Sequence, residues 1–182
     1  MPRTLPTKPA LRAAALEART QRAQPDISAA RAAIRSLALN RAVRQGWQAV
    51  AGYRPLRTEP GSIELLDDLV DAGVEVLVPV LLSDRDLDWT RWPDASEQPL
   101  LGPDAVRAAD AVLVPALAVD LTGVRLGRGG GSYDRALARV RSGTTTVALL
   151  FDGELVEALP TDPWDVPVQA ALLPEGWHDL SG

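Results

Sequence analysis

The chain has no cysteine and a single histidine, His178. Disulfide staples and thiolate-bound metal are thereby excluded, and the lack of thiols fits a reducing cytoplasmic setting. A Ser-His-Asp arrangement or an imidazole metal cluster would have to rest on His178 alone, near the end of the sequence. Long apolar runs are missing too. No stretch of the roughly 18 residues a membrane span needs is present, so no membrane partner is expected. Lysine is nearly absent: Lys8 is the only one among 19 basic residues. The formal net charge of -5 argues against a nucleic-acid partner, which calls for a basic face.

What is present suffices for one ordinary core. With 182 residues, 46% of them hydrophobic, the expectation is a single domain over residues 1–182 and, most simply, a monomer. Residues 8–22 are rich in Ala, Leu and Arg and read as a helix. A second helix, capped by Asp26, covers about 27–45 and stops at Gly46. WQAVAGY, residues 47–53, reads as a buried strand. Ser62 caps a helix that Gly73 closes, and the strand VEVLVPVLL follows. Strand, helix, strand is the βαβ unit of a parallel sheet. Residues 83–103, with acids, prolines, Trp89 and Trp92, read as a long functional loop.

The stretch with the most chemical content is AVLVPALAVDLTGVRLGRGGGSYDRALAR, residues 111–139. It predicts a Val- and Leu-rich strand, a loop bearing Gly127, Gly129, Gly130 and Gly131, and a helix start. Glycines let the backbone approach a ligand with no Cβ in the way. The first helical turn offers unpaired N–H groups and the positive end of a dipole. Together these make an anion cradle. Arg125 and Arg128 supply guanidinium groups that match phosphate oxygens. Asp134, in the first turn, would repel a polyphosphate unless a cation lay between them, which points to magnesium shared by Asp134 and phosphate. The spacing matches neither G-x-x-x-x-G-K-[ST] nor G-x-G-x-x-G. Glycine runs also make plain turns, and an aspartate here also serves a helix dipole alone. Both readings stay open on the residues by themselves.

Lys8, Arg12 and Arg19 fall within about 60° of one another on an ideal helix. They form one basic stripe opposed to Leu11, Ala14, Ala15 and Ala18, either a solvated face or part of a site. TTVALLF, residues 145–151, is a further buried strand, so a second βαβ unit brackets the glycine loop.

RLGRGGGSYDRAL, residues 125–137, preceded by VLVPALAVDLTG, resembles the signature of the 5-formyltetrahydrofolate cyclo-ligase family, the methenyltetrahydrofolate synthetases. Members usually carry two tyrosines before the aspartate; here Ser132 stands in the first position and Tyr133 in the second. The family's K-x-x-L-R opening is matched by Lys8, Leu11 and Arg12. The resemblance extends from Lys8 to about Pro174. It implies a three-layer α/β fold, an open and mostly parallel sheet with helices on both faces. It also implies an enzyme that uses ATP as co-substrate, with Mg2+, to convert 5-formyltetrahydrofolate into 5,10-methenyltetrahydrofolate.

Residue roles follow from the same resemblance. Lys8 and Arg128 are the candidate catalytic cations. Lys8 and Arg12 join the run from Arg125 through Leu126, Gly127, Arg128, Gly129, Gly130, Gly131 and Ser132 to Tyr133 in binding ATP. Arg12, Tyr53, Glu59, Trp92 and Tyr133 seat the folate. A carboxylate such as Glu59 suits a 2-amino-4-oxo pyrimidine edge, because it accepts two parallel N–H bonds. Trp89 and Trp92 either flank a ring system or lie as a lid over the core. Asp134 and Asp165 hold magnesium, and Trp164 stands where the family usually has histidine. An arginine-rich, acid-poor start also suits a transit peptide, but its match to the family's first helix favours a cytoplasmic protein. Two alternatives belong to other classes. One is an ATP-binding paralogue without cyclisation, suggested by Ser132 and Trp164. The other is a sugar-phosphate isomerase or sensor, which would need neither ATP nor magnesium.

Overall fold

The computed structural model describes residues 6–93 and 99–180. In chain order the elements are α1 (Lys8–Gln21), α2 (Gln24–Gln45), β1 (Ala49–Ala51), α3 (Ile63–Asp71), β2 (Glu75–Leu81), β3 (Leu87–Arg91), a 3-10 turn (Pro103–Ala108) and β4 (Ala111–Pro115). They continue with β5 (Ala118–Asp120), β6 (Arg125–Leu126), α4 (Ser132–Leu137), β7 (Thr145–Leu149), β8 (Leu155–Val156), β9 (Ala170–Leu173) and β10 (Gly176–Asp179).

Among the described residues seven strands form the main sheet in the order β10-β9-β7-β4-β1-β2-β3, and β6-β5-β8 form a small second one. The four central pairings are parallel, and only the outer strands β3 and β10 run antiparallel to their neighbours. This is the expected open, mostly parallel sheet. Its central strands are buried on both faces, as their near-continuous Val and Leu content requires. Alternate residues divide between two cores. Val50, Val76, Leu113 and Leu149 pack with Ile34, Leu65 and Leu69 of α2 and α3. Ala51, Leu77, Val112 and Val114 pack on the other face with Val106, Ala136 and Leu137. Helices therefore cover both faces.

Several expectations change. Residues 83–103 are not one long loop, because Leu87–Arg91 is a strand paired antiparallel with β2. Trp89, on its inward face, is fully buried in the second core, so it flanks no ligand ring. Residues 94–98 of that stretch lie outside the described residues. Asp26 is not a cap. Helix α2 starts at Gln24 with Ala23 at the cap position, and Asp26 sits in its first turn. Ser62 does cap α3, its Oγ accepting from the Leu65 amide at 3.2 Å. The apolar run from Ala111 to Leu126 is three strands rather than one. After Pro115 the chain leaves the main sheet and makes the small one, turning at Asp120–Val124. Buried Asp120 organises that turn, its Oδ1 accepting from the Thr122 amide at 2.9 Å and the Val124 amide at 3.0 Å, its Oδ2 from the Leu159 amide at 3.0 Å.

Gly123 closes the turn with φ of 87°, and a Cβ there would stand 2.2 Å from the Val168 carbonyl oxygen. Val168 in turn donates its amide to the Gly123 carbonyl at 2.9 Å. Gly123→Ala should therefore destabilise the protein by about 2–4 kcal/mol, from strained φ plus a backbone clash. Urea unfolding measures this, and an unchanged midpoint would contradict the crowding.

Candidate functional site

The chain crosses from one side of β1 to the other between β2 and β4, so β1 and β4 form the switch point of the sheet. Open parallel sheets bind ligands beyond the carboxyl ends of strands at that point. A cavity of about 450 Å³ lies there. Its walls come from the segment after β1 (Tyr53, Glu59), the end of β4 (Pro115 to Leu117), the glycine loop, the start of α1 and the turn carrying Asp162 and Asp165.

The basic stripe of α1 faces this body of protein, not solvent. Lys8 Nζ donates to Asp162 Oδ2 at 2.7 Å and to Asp165 Oδ2 at 2.5 Å. Arg12 Nε donates to the Gly127 carbonyl at 2.9 Å. Arg19 is buried against Glu154. Of the four residues set against the stripe, Ala14 and Ala18 are exposed, whereas Leu11 and Ala15 are half-buried against the Leu117 and Leu126 cluster and so turn inward beside the stripe. The inward side gains twice, through three cations that find acceptors and through Leu11, Ala15 and Leu16 packed on that cluster, whereas Ala14 and Ala18 would gain little from burial.

Arg125, itself buried, donates to Asp134 Oδ1 at 2.9 Å, and the Val166 amide donates to the same oxygen at 3.2 Å. Arg128 Nε reaches Glu59 Oε1 at 3.3 Å, while Glu59 Oε2 accepts from the Leu56 amide at 2.8 Å. Glu59 is 5% exposed. Its loop is pinned from behind by Arg31 of α2, which donates to the carbonyls of Glu59, Leu56 and Arg57. The Tyr53 and Tyr133 hydroxyls are buried without a hydrogen-bond partner among the described residues. Burial pushes both phenols well above their ordinary pKa, so each stays a neutral donor.

The glycine loop is built for close approach. Gly129 takes φ of 101°, and a Cβ on it would touch the Arg12 guanidinium at 3.4 Å. Helix α4 after it is only six residues long, so the cradle depends on the loop and its cations more than on a helix dipole. Of the residues expected in the site, Leu126 and Trp92 are not in the cavity wall. Leu126 is buried with Leu117 and Leu159, its side chain turned into that small core. Trp92 is half-buried on the first core, its Nε1 donating to Asp67 at 2.8 Å. Trp164 is exposed at the rim.

Asp162, Arg54 and Arg31 were not legible as site residues. Asp162 carries a weak signal, lying three residues before Asp165 on a proline-bounded turn. The other two resemble surface arginines in the sequence. Among the described residues no three His, Asp or Glu side chains gather as a ready-made metal site. Asp134, Asp162 and Asp165 share the cavity wall with the phosphate-type cations, which fits magnesium. That ion is typically held by one or two carboxylates together with substrate phosphates, not by an all-protein cage.

The Lys8 tie has a measurable electrostatic signature. Partial burial alone would lower the Lys8 pKa, but the hydrogen bonds that its ammonium donates to Asp162 and Asp165 outweigh it and raise the value above 10.5. For Asp165, burial would raise the pKa, but the Lys8 ammonium and the Asp162 amide hold it below 3.8. The stabilisation from Asp165 is therefore present above pH 3.8 and lost as pH falls through its lower folded value; that from Lys8 is present below 10.5 and lost as pH rises through its higher one. Because Lys8 is the sole lysine, a lysine-labelled sample should give one side-chain NMR signal with a midpoint above 10.5. Asp165→Asn should bring the midpoint down. An unshifted signal in the wild type would refute the tie.

A strand-end cleft lined by cations, glycines and carboxylates at the switch point places the protein in the α/β class whose clefts suit small-molecule ligands. Comparison with known proteins supplies the family. Residues 4–174 match the family model described as the 5-formyltetrahydrofolate cyclo-ligase family. A 5-formyltetrahydrofolate cyclo-ligase of Mycolicibacterium smegmatis is 37% identical over 144 residues, 70% of this chain and 74% of that one. The fold is similar to a 5,10-methenyltetrahydrofolate synthetase from Mycoplasma pneumoniae, with a TM-score of 0.81 at 21% identity over 93% of this chain and 99% of that one. It is also similar to the synthetase of Aquifex aeolicus, with a TM-score of 0.75 at 24% identity over 96% and 93% of the two chains. The chain belongs to the 5-formyltetrahydrofolate cyclo-ligase family.

Proposed function

We propose that the protein converts 5-formyltetrahydrofolate and ATP into 5,10-methenyltetrahydrofolate, ADP and phosphate. One observation carries this reading: a single cavity joins Lys8, Arg12, Arg125 and Arg128 around a glycine loop to a buried carboxylate, Glu59, on the wall after β1. The first set matches a polyphosphate, and the second matches the amino-pyrimidine edge of a pterin.

A formyl oxygen on nitrogen is a poor leaving group. Its attack on the γ-phosphorus, with ADP departing, turns it into a phosphate ester. Nitrogen 10 then adds to the formyl carbon and loses its proton, and phosphate leaves with the former formyl oxygen. No protein nucleophile is required, only positioning and charge stabilisation. That agrees with a cavity lacking Cys and His. Lys8 and Arg128 neutralise charge on the transferred phosphoryl group, with Arg12 and Arg125 along the rest of the polyphosphate. Asp134 and Asp165 would hold magnesium, now with Asp162 beside them, and the ion supplies charge neutralisation at the phosphates when bound. The hydroxyls of Tyr53 and Tyr133 offer donors to the ligands that fill the cavity.

The test is the purified protein given 5-formyltetrahydrofolate, ATP and magnesium, with each omitted in turn and the methenyl absorbance followed. Product that needs all three supports the reading. ATP binding without product would mark a paralogue that lacks the cyclisation, and product without ATP would refute the phosphoryl route.

A further inference from the structure

Two walls of the cavity come from distant parts of the chain, and one carboxylate that lines neither ties them together. Pro79, Leu81 and Leu87 make an apolar wall at the end of β2 and the start of β3, while the glycine loop and the first turn of α4, with Tyr133 and Asp134, make a polar one. Asp86 sits on the turn between β2 and β3. Its Oδ1 and Oδ2 accept from Nη1 and Nη2 of Arg139, just past α4, at 2.8 and 2.6 Å, a two-pronged pairing that fixes orientation as well as distance. Oδ1 also accepts from the amide of Leu87 at 2.9 Å. Arg135 of α4 reaches the same turn, its Nη2 donating to the Arg85 carbonyl at 2.7 Å. The Arg139 hydrogen bonds hold the Asp86 carboxyl below its ordinary range, so it is charged at neutral pH.

Two further observations mark this clamp. Among the described residues Arg85 is the only one other than glycine with positive φ, 67°, a conformation that persists only where its surroundings enforce it. Helix α4 has six residues, too few to hold a pose by itself, and the glycines before it restrain it little. Asp134 is anchored to Arg125. The Tyr133 hydroxyl has no partner among the described residues, so its place is set by packing and by the pose of α4.

We propose that Asp86 is a positioning residue of the reaction: through Arg139 and Arg135 it fixes the spacing of the two walls and with it the approach of the two substrates; this rests on the folate reading above. When one bound substrate attacks another without a protein nucleophile, the rate depends on how closely the reacting atoms are held. A misplacement of about 1 Å costs on the order of 100-fold, whereas each substrate alone still finds its own wall. The clamp therefore acts on kcat more than on affinity.

Asp86→Ala, Arg139→Gln and the double variant are compared with wild type by steady-state kinetics, by calorimetric Kd for 5-formyltetrahydrofolate and for a non-hydrolysable ATP analogue with magnesium, and by NMR of ring-labelled tyrosine. The chain has two tyrosines, so Tyr133→Phe assigns the Tyr133 signal. Each single variant should lower kcat by about 10- to 100-fold, change both Kd values by less than about threefold, and move the Tyr133 signal while leaving that of Tyr53 in place. The double variant should be no slower than the worse single one, because both remove the same interaction. A tie that served stability alone would lower the melting temperature and leave kcat and the Tyr133 signal unchanged while the protein is folded. That result, additive losses in the double variant, or losses confined to the Kd values would overturn the proposal. If Asp86→Ala does not fold, Arg139→Lys keeps the charge but gives up the fork; it should show a lowered kcat and a displaced Tyr133 signal, and wild-type values for both would overturn the proposal. A wild type that forms no methenyl product would overturn the reaction reading instead, and the Tyr133 signal would still decide whether Asp86 places α4.

Discussion

Replacing Lys8 with alanine should cut turnover by about 30- to 1,000-fold, the usual 2–4 kcal/mol for removing one preorganised charge at a reacting centre. Lys8 is held where two wall segments meet, its ammonium on Asp162 and Asp165 and its helix docked through Arg12 onto Gly127. In the proposed reaction, such a cation is already in place when phosphoryl charge develops. The variant also leaves two carboxylates facing each other without a counter-ion, so the Asp165 pKa should climb back toward the ordinary range. The fold should persist, because Lys8 is the first residue of α1 and supports no core cluster. Steady-state kinetics beside a urea melt separates the two effects. Turnover within threefold of wild type would remove Lys8 from the reaction.

Arg19→Ala should act on stability instead. Arg19 is 2% exposed. Its Nε and Nη2 donate to the two Glu154 carboxylate oxygens at 2.8 and 2.7 Å, and Nη2 also reaches the Ala116 carbonyl at 2.6 Å. The guanidinium lies 5.6 Å from the Phe151 ring, and Glu154 also accepts from the Phe151 amide at 2.9 Å. Truncating Arg19 leaves a largely buried carboxylate and a carbonyl unpaired, a change worth about 3–5 kcal/mol. For a chain of this length that corresponds to a fall in Tm of roughly 6–20 °C. Thermal melts measure it directly. Replacing both partners, Arg19→Met with Glu154→Leu, should recover much of the loss, since it strands no charge. A single variant melting with wild type would show that the pair contributes nothing net. Because Arg19 anchors α1 to the end of β4, its loss should also loosen Lys8 and lower the Lys8 titration midpoint.

Both predictions concern α1, where local sequence misleads most. Helical periodicity identified Lys8, Arg12 and Arg19 as one stripe, but a stripe of charge on a helix normally faces water. Its inward turn depends on acceptors supplied by Gly127, Glu154, Asp162 and Asp165, all more than a hundred residues away in the chain. The Trp89 and Trp92 stretch misled for a related reason. Asp88, Asp84 and Asp86 give it the composition of a loop, yet the exposed edge of β2 offers an unpaired ladder, and pairing there buries Trp89. Asp88 is accommodated because the amides of Trp89 and Gly102 donate to it.

The sequence by itself did not show β3 or the small sheet. It determined the central order of two helices, strand, helix, strand, then strand, glycine loop, helix and strand, together with Arg125, Arg128 and Asp134 and the family to which the chain belongs. Those features are written in short-range periodicity and in one contiguous motif. Only the tertiary structure decided which cations meet which carboxylates, that Trp92 does not line the cavity, and that Asp162 joins Asp165 beside Lys8. The reason is that an ion pair needs two partners, and the hydrophobic pattern that brings distant segments together says nothing about which polar groups will then face each other.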